Sequence, residues 1–305
     1  MFCDSHLHIA ECEDFVPVHF CCSCAHSKEE FFIQEEIALK SGGKVLCAFG
    51  LHPQKTLLEN IDFLESLLVQ KRILAVGETG FDFFTPELKS CEVQQKKAFE
   101  MCLELATEHK VPLVIHDRKA LDLVFFYSSA LKKCTSVVFH SFAFTARDAV
   151  SILNHGINAY FSFGKPLMNG NKKSIGCVKE LPLERILLET DAPYQTSKGE
   201  EKTSPLQIKQ VYEKTCEIRG MNMEELENCV LKNFFNAFGI AVPDCPQEPM
   251  STHLSSKTMT TFLLFREKQS KDCLERLWKI SLLLKETLFR LTDYSGIHRM
   301  RVKTL

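Results

Sequence analysis

The chain lacks any apolar run long enough to span a membrane. It also lacks a strong charge of either sign, with a formal net charge of −2 over 305 residues. So neutral a chain is not built to hold nucleic acid through a broad basic surface, and any such substrate would need bound cations and a few local basic groups. No secretory leader is visible, because a strand-like run begins near Phe2 and already carries candidate site residues. The expected location is therefore cytoplasmic, away from membranes. Cysteine is plentiful, with 14 scattered through the chain. In a chain of this size such scatter reads as reduced thiols rather than a disulfide framework. Cys21, Cys22 and Cys24 resemble part of a zinc motif, but no second cysteine pair stands at finger spacing. They are read as small buried apolar residues.

Strand-like and helix-like segments alternate along the first 240 residues. Strands are expected near Phe2–His6, Val18–Cys22, Lys44–Gly50, Ile73–Gly77, Pro112–His116, Ser136–His140, Ile157–Ser162 and Ile186–Glu189. Between them lie helical patterns. One opens on the capping signature Ser27-Lys28-Glu29-Glu30, and another runs over Cys91–His109. A parallel barrel with helical crossovers accounts for this pattern, and a doubly wound open sheet is the competing arrangement.

Past Gly239 the character changes. Residues 241–261, with Pro243, Pro246 and Pro249 and many Ser and Thr, read as a linker. Residues 262–305 read as a C-terminal helical extension with a basic tail. Its Leu274, Leu277, Leu284, Leu288 and Leu291 form a heptad stripe broken at Ser281. The stripe is expected to pack on the barrel of a monomer, with dimerisation through this helix as the alternative.

The chemistry lies at the ends of the strand-like runs. His6 and His8 are two apart, so in a strand they share a face. Glu78, His116, His140 and Asp191 each follow an apolar run. One such residue is weak evidence, but only a closed barrel gathers strand ends from first to last in one place. Six ligands exceed the needs of one ion with an open position and suit two ions about 3.5–4 Å apart sharing a carboxylate. The natural division gives His6, His8 and Asp191 to one ion and His116 and His140 to the other, bridged by Glu78. Mixed imidazole and carboxylate donors suit Zn²⁺, Mn²⁺ or Fe²⁺, and Mg²⁺ less well. The implied reaction is hydrolysis at phosphorus or at a carbonyl. His19, His26, His109, His155, His253 and His298 show no partners by spacing and are read as structural.

Six blocks then resemble the TatD family of metal-dependent deoxyribonucleases, in that family's order. They are Asp4-Ser5-His6-Leu7-His8, Gly50-Leu51-His52-Pro53, Gly77-Glu78-Thr79-Gly80-Phe81-Asp82-Phe83, Val114-Ile115-His116-Asp117-Arg118, His140-Ser141-Phe142 and Glu189-Thr190-Asp191-Ala192-Pro193-Tyr194. The resemblance covers about residues 1–240. It implies a distorted (β/α)8 barrel of the amidohydrolase type and a 3′–5′ exonuclease or DNase activity. It also implies two divalent ions on the six residues named, and a DNA substrate that is single-stranded or frayed at its ends. Asp191 is then the expected general base and Glu78 the shared catalytic carboxylate. His52 matches a family active-site histidine, and with Arg118 it is expected to bind phosphate. Asp82 is expected to orient a ligand histidine.

The chain departs from the family in a short segment between His8 and Gly50, in Lys202-Thr203-Ser204-Pro205 where an Asn-x-Pro element is common, and in the added C-terminal helix. These bear on substrate more than on metal. Two alternatives follow. One is an ester hydrolase such as a D-aminoacyl-tRNA deacylase, and the other is a non-catalytic metal-binding scaffold.

Overall fold

The computed structural model describes residues 1–240 apart from Asp14 and Lys198. The linker and helix expected over 241–305, and with them the question of dimerisation, lie outside the described residues. Eight strands form one parallel sheet in sequence order. They are β1 (Cys3–Leu7), β2 (Phe20–Ala25), β3 (Val45–Phe49), β4 (Ala75–Asp82), β5 (Leu113–Arg118), β6 (Val137–Phe139), β7 (Ala159–Phe163) and β8 (Ile186–Leu188). An open doubly wound sheet would reverse its strand order part-way, and this one does not.

The last strand returns to the first. Just beyond β8, the Asp191 N–H donates to the His6 carbonyl at 3.0 Å, and the His8 N–H donates to the Ala192 carbonyl at 2.8 Å. Asp4 completes the seam, accepting from the Thr190 N–H at 3.0 Å and the Thr190 hydroxyl at 2.6 Å. The backbone bonds that close the barrel thus run through site residues.

Helices fill the crossovers: α1 (Lys28–Lys40), α2 (Ile61–Val69), α3 (Pro86–Ser90), α4 (Glu92–His109), α5 (Leu121–Phe126), α6 (Ser128–Leu131), α7 (Ala146–Asn154), α8 (Lys172–Glu180), α9 (Ile208–Arg219) and α10 (Met223–Ala237). The crossover from β5 to β6 is two short helices, α5 and α6, that meet at Tyr127. Strands buried on both faces read as continuous apolar runs, as in other parallel sheets. Outside them the core is rich in phenylalanine. Phe31 of α1, Phe49 of β3 and Phe63 of α2 pack edge to face, and Phe81 of β4 packs on Phe99 of α4. Phe31, Phe49, Phe81 and Phe99 are fully buried, and each contributes on the order of 1.5–3 kcal/mol. That core fixes the strands whose C-terminal ends carry the site.

Candidate metal centre

Two strands are distorted where they carry site residues. Along β1, Asp4 pairs with Cys21 and Leu7 with Ser23, so three steps on β1 match two on β2. Along β4, Val76 pairs with Leu113 and Thr79 with Ile115, again three steps against two on β5. Each is a one-residue bulge, which re-aims the side chains inside it. His6 lies within the first bulge and Glu78 within the second.

Glycine makes the second one feasible. Gly77 has φ +134°, and a Cβ there would sit 2.5 Å from the Val114 carbonyl oxygen. Two expectations change as a result. Glu78 lies inside β4, not past its end, because the bulge lets the strand run on to Asp82. His8 stands one residue beyond β1, yet its Nε2 still comes to 3.3 Å from His6 Nε2.

Glu78 is the hub. Its Oε2 faces the Nε2 atoms of His6 at 3.4 Å, His8 at 3.8 Å and His26 at 3.3 Å. Its Oε1 faces His116 Nδ1 at 2.6 Å, His140 Nε2 at 2.7 Å and His52 Nε2 at 3.3 Å. Asp191 Oδ1 adds itself to the first group, 3.6 Å from His6 Nε2 and 3.5 Å from His8 Nε2. The six residues expected as ligands therefore converge, and the two oxygens of Glu78 face the two halves of the set.

The hydrogen-bond partners fix which ring nitrogens carry protons. His8 Nδ1 lies 3.1 Å from the Cys24 carbonyl, which can only accept. Nδ1 therefore donates, and Nε2 turns a lone pair toward His6, Glu78 and Asp191. His116 Nε2 likewise donates to Asp82 Oδ2 at 3.1 Å. Its Nδ1 lone pair then faces Glu78 and, at 3.1 Å, His140 Nε2. Asp82 is pinned in turn by Gln54 Nε2 at 2.7 Å and the Phe84 N–H at 2.8 Å. Lone pairs aimed at carboxylates repel unless a cation lies among them. Several three-residue groups bring one donor atom each to within 4.8 Å of one another, among them His6, His8 and Glu78, and Glu78, His116 and His140. This donor chemistry fits divalent metal ions.

Electrostatics agree with that fit. Burial alone would raise the Glu78 carboxyl, but His140, His52 and His6 together hold it well below the usual carboxylate range. Asp191 is buried too, and the His8 and His140 imidazoles beside it lower it. Asp82 is brought down to about 2 against its own burial by its bonds with His116 and Gln54. Both hub carboxylates are thus held as anions in a buried place, as metal ligands must be.

Above this floor lies a pocket of about 450 Å³. His52, Lys55, Arg118 and Tyr194 line it, together with His26. Arg118, half-exposed, stands 4.0 Å from Asp82 and over the ring of Phe84 at 5.1 Å. It is on the pocket wall rather than only in a surface ion pair.

His26 is the residue that spacing missed. With the second strand expected at Val18–Cys22, His26 fell in a loop. The strand runs to Ala25, so His26 ends it as His140 ends β6. The capping signature also served the site. Ser27 caps α1, accepting from the Glu30 N–H, while Glu30 Oε2 accepts from the His26 N–H at 2.8 Å. Cys24 is likewise more than filler, since its carbonyl holds His8 and its Sγ lies 3.5 Å from His6 Nδ1. His19, His109 and His155 appear in none of the metal-capable groups, and His253 and His298 lie outside the described residues.

A closed parallel barrel with buried imidazoles and carboxylates at the C-terminal ends of its strands defines a metal-dependent hydrolase. The chain belongs to the TatD related DNase family, whose sequence profile matches residues 3–239. An uncharacterized metal-dependent hydrolase, YabD of Bacillus subtilis, is 30% identical over 204 residues, covering 64% of this chain and 78% of that one. The 3′-5′ ssDNA/RNA exonuclease TatD of Pantoea ananatis is 28% identical over 204 residues, covering 63% and 76%. Among solved structures, YJJV, a TatD homologue from Escherichia coli K12, matches in fold with a TM-score of 0.69 at 23% identity, covering 79% of this chain and 98% of that one. Among the described residues no helix is long and apolar enough to cross a membrane.

Proposed function

We propose that this chain is a two-metal deoxyribonuclease of the 3′–5′ exonuclease type, acting on single-stranded or end-frayed DNA. The observation that carries the reading is Glu78, whose two oxygens each face a separate group of imidazoles beneath a pocket walled by cations. His6, His8 and Asp191 would hold one ion, His116 and His140 the other, and Glu78 both. Two divalent ions so held would polarise phosphate oxygens and acidify water. Zn²⁺, Mn²⁺, Mg²⁺ and Fe²⁺ all fall within the range of this donor set.

The chain's own residues do the rest. Asp191, kept ionised, accepts the proton of the attacking water as general base. Asp82 keeps His116 in the tautomer that faces Glu78. Arg118 and His52 bind the phosphate from the rim, Arg118 through its planar fork of N–H donors. Phe84 is exposed, with Arg118 and Lys119 over its ring. Such an aromatic face with cations suits an unpaired base. The name of the Pantoea ananatis relative, an exonuclease on single strands, is consistent with this substrate.

The test is an end-labelled assay with each divalent ion in turn. The substrates are single-stranded DNA, duplex DNA and a D-aminoacyl-tRNA. Shortening of single strands from the 3′ end is expected, together with about two ions per chain by elemental analysis. DNA left intact with every ion while the aminoacyl ester is cleaved would replace this reading by the deacylase. A protein that cannot be loaded with metal would point to the scaffold.

A further inference from the structure

We propose that His26 is a phosphate-binding residue, which with His52 presents imidazole N–H groups to the oxygens of one phosphoryl group of the substrate. The two rings lie 4.6 Å apart between centroids. Both line the pocket. Their Nε2 atoms approach the two oxygens of Glu78 at the same distance of 3.3 Å.

Three roles for His26 can be weighed on this geometry. The first is a ligand of the ion beside His6 and His8. Yet His26 joins no metal-capable group with either of them, only the one with His52 and Glu78. The second is a ligand of a third ion in that last group. Its obstacle is His52, whose Nδ1 accepts the Gln54 N–H at 3.2 Å. That bond leaves the proton of the neutral ring on Nε2, so the atom facing Glu78 is a donor and has no lone pair for a metal. A third ion would keep only His26 and a carboxylate already facing both halves of the site.

The third role is hydrogen-bond donation, and the surroundings of His26 favour it. Its Nε2 is buried and has no hydrogen-bond partner of good geometry, a penalty that a bound acceptor would relieve. Glu30 holds the residue in place through the His26 backbone N–H at 2.8 Å. Lys55 and Arg118, which line the same pocket, make an anion the fitting ligand. Glu78 sets one condition. An anion beside that carboxylate is tolerated only when cations neutralise it, so phosphate should bind the metal-loaded protein and not the stripped one.

This inference rests on the phosphodiester reading above, but its test does not depend on DNA cleavage. The full chain, loaded with Zn²⁺ or Mn²⁺, is titrated with inorganic phosphate by calorimetry, and metal per chain is counted. Both His26→Phe, which keeps a ring, and His26→Ala, which adds no bulk, should weaken phosphate by about tenfold or more, with ions per chain unchanged. His26→Gln, which retains an N–H, should recover part of the loss. Phosphate affinity within twofold of the parent in whichever of the first two variants folds overturns the proposal. So does the loss of one ion per chain, which would make His26 a ligand. A parent protein that binds phosphate through His26 but leaves DNA intact would sink the nuclease reading alone.

Discussion

The two ends of the barrel solve opposite problems with the same eight strands. At the N-terminal end, several buried polar groups of the strands and last helices are paired. The Cys3 N–H donates to the Tyr212 hydroxyl at 3.0 Å, and that hydroxyl donates back to the Cys3 carbonyl at 3.2 Å. Asn233 Nδ2 reaches the Leu183 and Ile186 carbonyls, both at 2.8 Å, and the Ser136 hydroxyl reaches the Ala237 carbonyl. At the C-terminal end like groups are pressed together. His6 stacks on His140 with centroids 3.9 Å apart. His26 Nε2, His140 Nδ1 and Glu189 Oε2 are buried without hydrogen-bond partners. Buried polar groups are normally satisfied, and those that are not cluster where chemistry is done. One end is arranged to be stable as it stands, the other to be completed by cations and substrate.

If that contrast holds, damage at the two ends should read out differently. The largest effect is expected from Glu78→Gln. It should lower metal-dependent turnover at least about a thousandfold, because the carboxylate is common to both halves of the centre. The midpoint of urea unfolding should hardly move, since the change removes charge and no packing. Near-normal turnover in this variant would sink the shared-carboxylate scheme.

Next comes the outer support of the histidine pair. Cys24 holds His8 by its carbonyl and touches His6 with its sulfur. Partners of this kind are worth roughly 10–100-fold in metal affinity. Cys24→Ala should therefore weaken the more loosely held ion by about tenfold in a chelator competition. Cys24→Ser, which keeps a polar atom near His6 Nδ1, should weaken it less. Equal affinity in the alanine variant would return the Cys24 side chain to the role of filler and leave only its carbonyl in the support.

Cys24 and His26 also mark the limit of what the sequence discloses. The barrel was legible because eight apolar runs alternate with helical patterns, and the six ligand candidates because each ends or follows such a run. Cys24 and His26 were not, for a physical reason. The second strand starts two residues later and ends three later than its apolar pattern suggests, since Cys24 and Ala25 are small and carry little hydrophobic signal. The bulges at His6 and Glu78 were equally hidden. They arise from the pairing of one strand with another, and no single segment records its register. The Gly77 that permits one of them was visible, but only the approach of Val114 explains it.

At the other end, Tyr212→Phe should do the reverse of Glu78→Gln. It deletes one hydroxyl and leaves the buried Cys3 N–H and carbonyl with less to bond. The cost is on the order of 1–2 kcal/mol, read as a lower urea midpoint. Turnover and metal content should match the parent, because β1 carries His6 three residues further on, within the bulge. A fall in turnover without a fall in stability would show that the ends are coupled along β1 and that the contrast is false.

The smallest expected effect probes a place where the contrast is strained. His19, just before β2 at the stable end, is buried, and its Nε2 has no hydrogen-bond partner. Burial, aided by nearby Lys44, lowers its pKa from 6.5 to about 4. The sign follows from linkage. Above pH 6.5 the ring is neutral whether the chain is folded or not, and stability is unaffected. As pH falls from 6.5 toward 4, the unfolded chain takes up a proton that the folded chain refuses, so stability is lost through that window. At pH 5.5 the loss is about 1.4 kcal/mol. Urea midpoints at pH 7.5 and 5.5 for the parent and for His19→Gln isolate the term, because every other group titrates alike in both. The drop on acidification should be smaller in the variant by about that amount. An equal drop would mean that water reaches the ring in the folded chain, and that this end is less tightly closed than its paired groups imply.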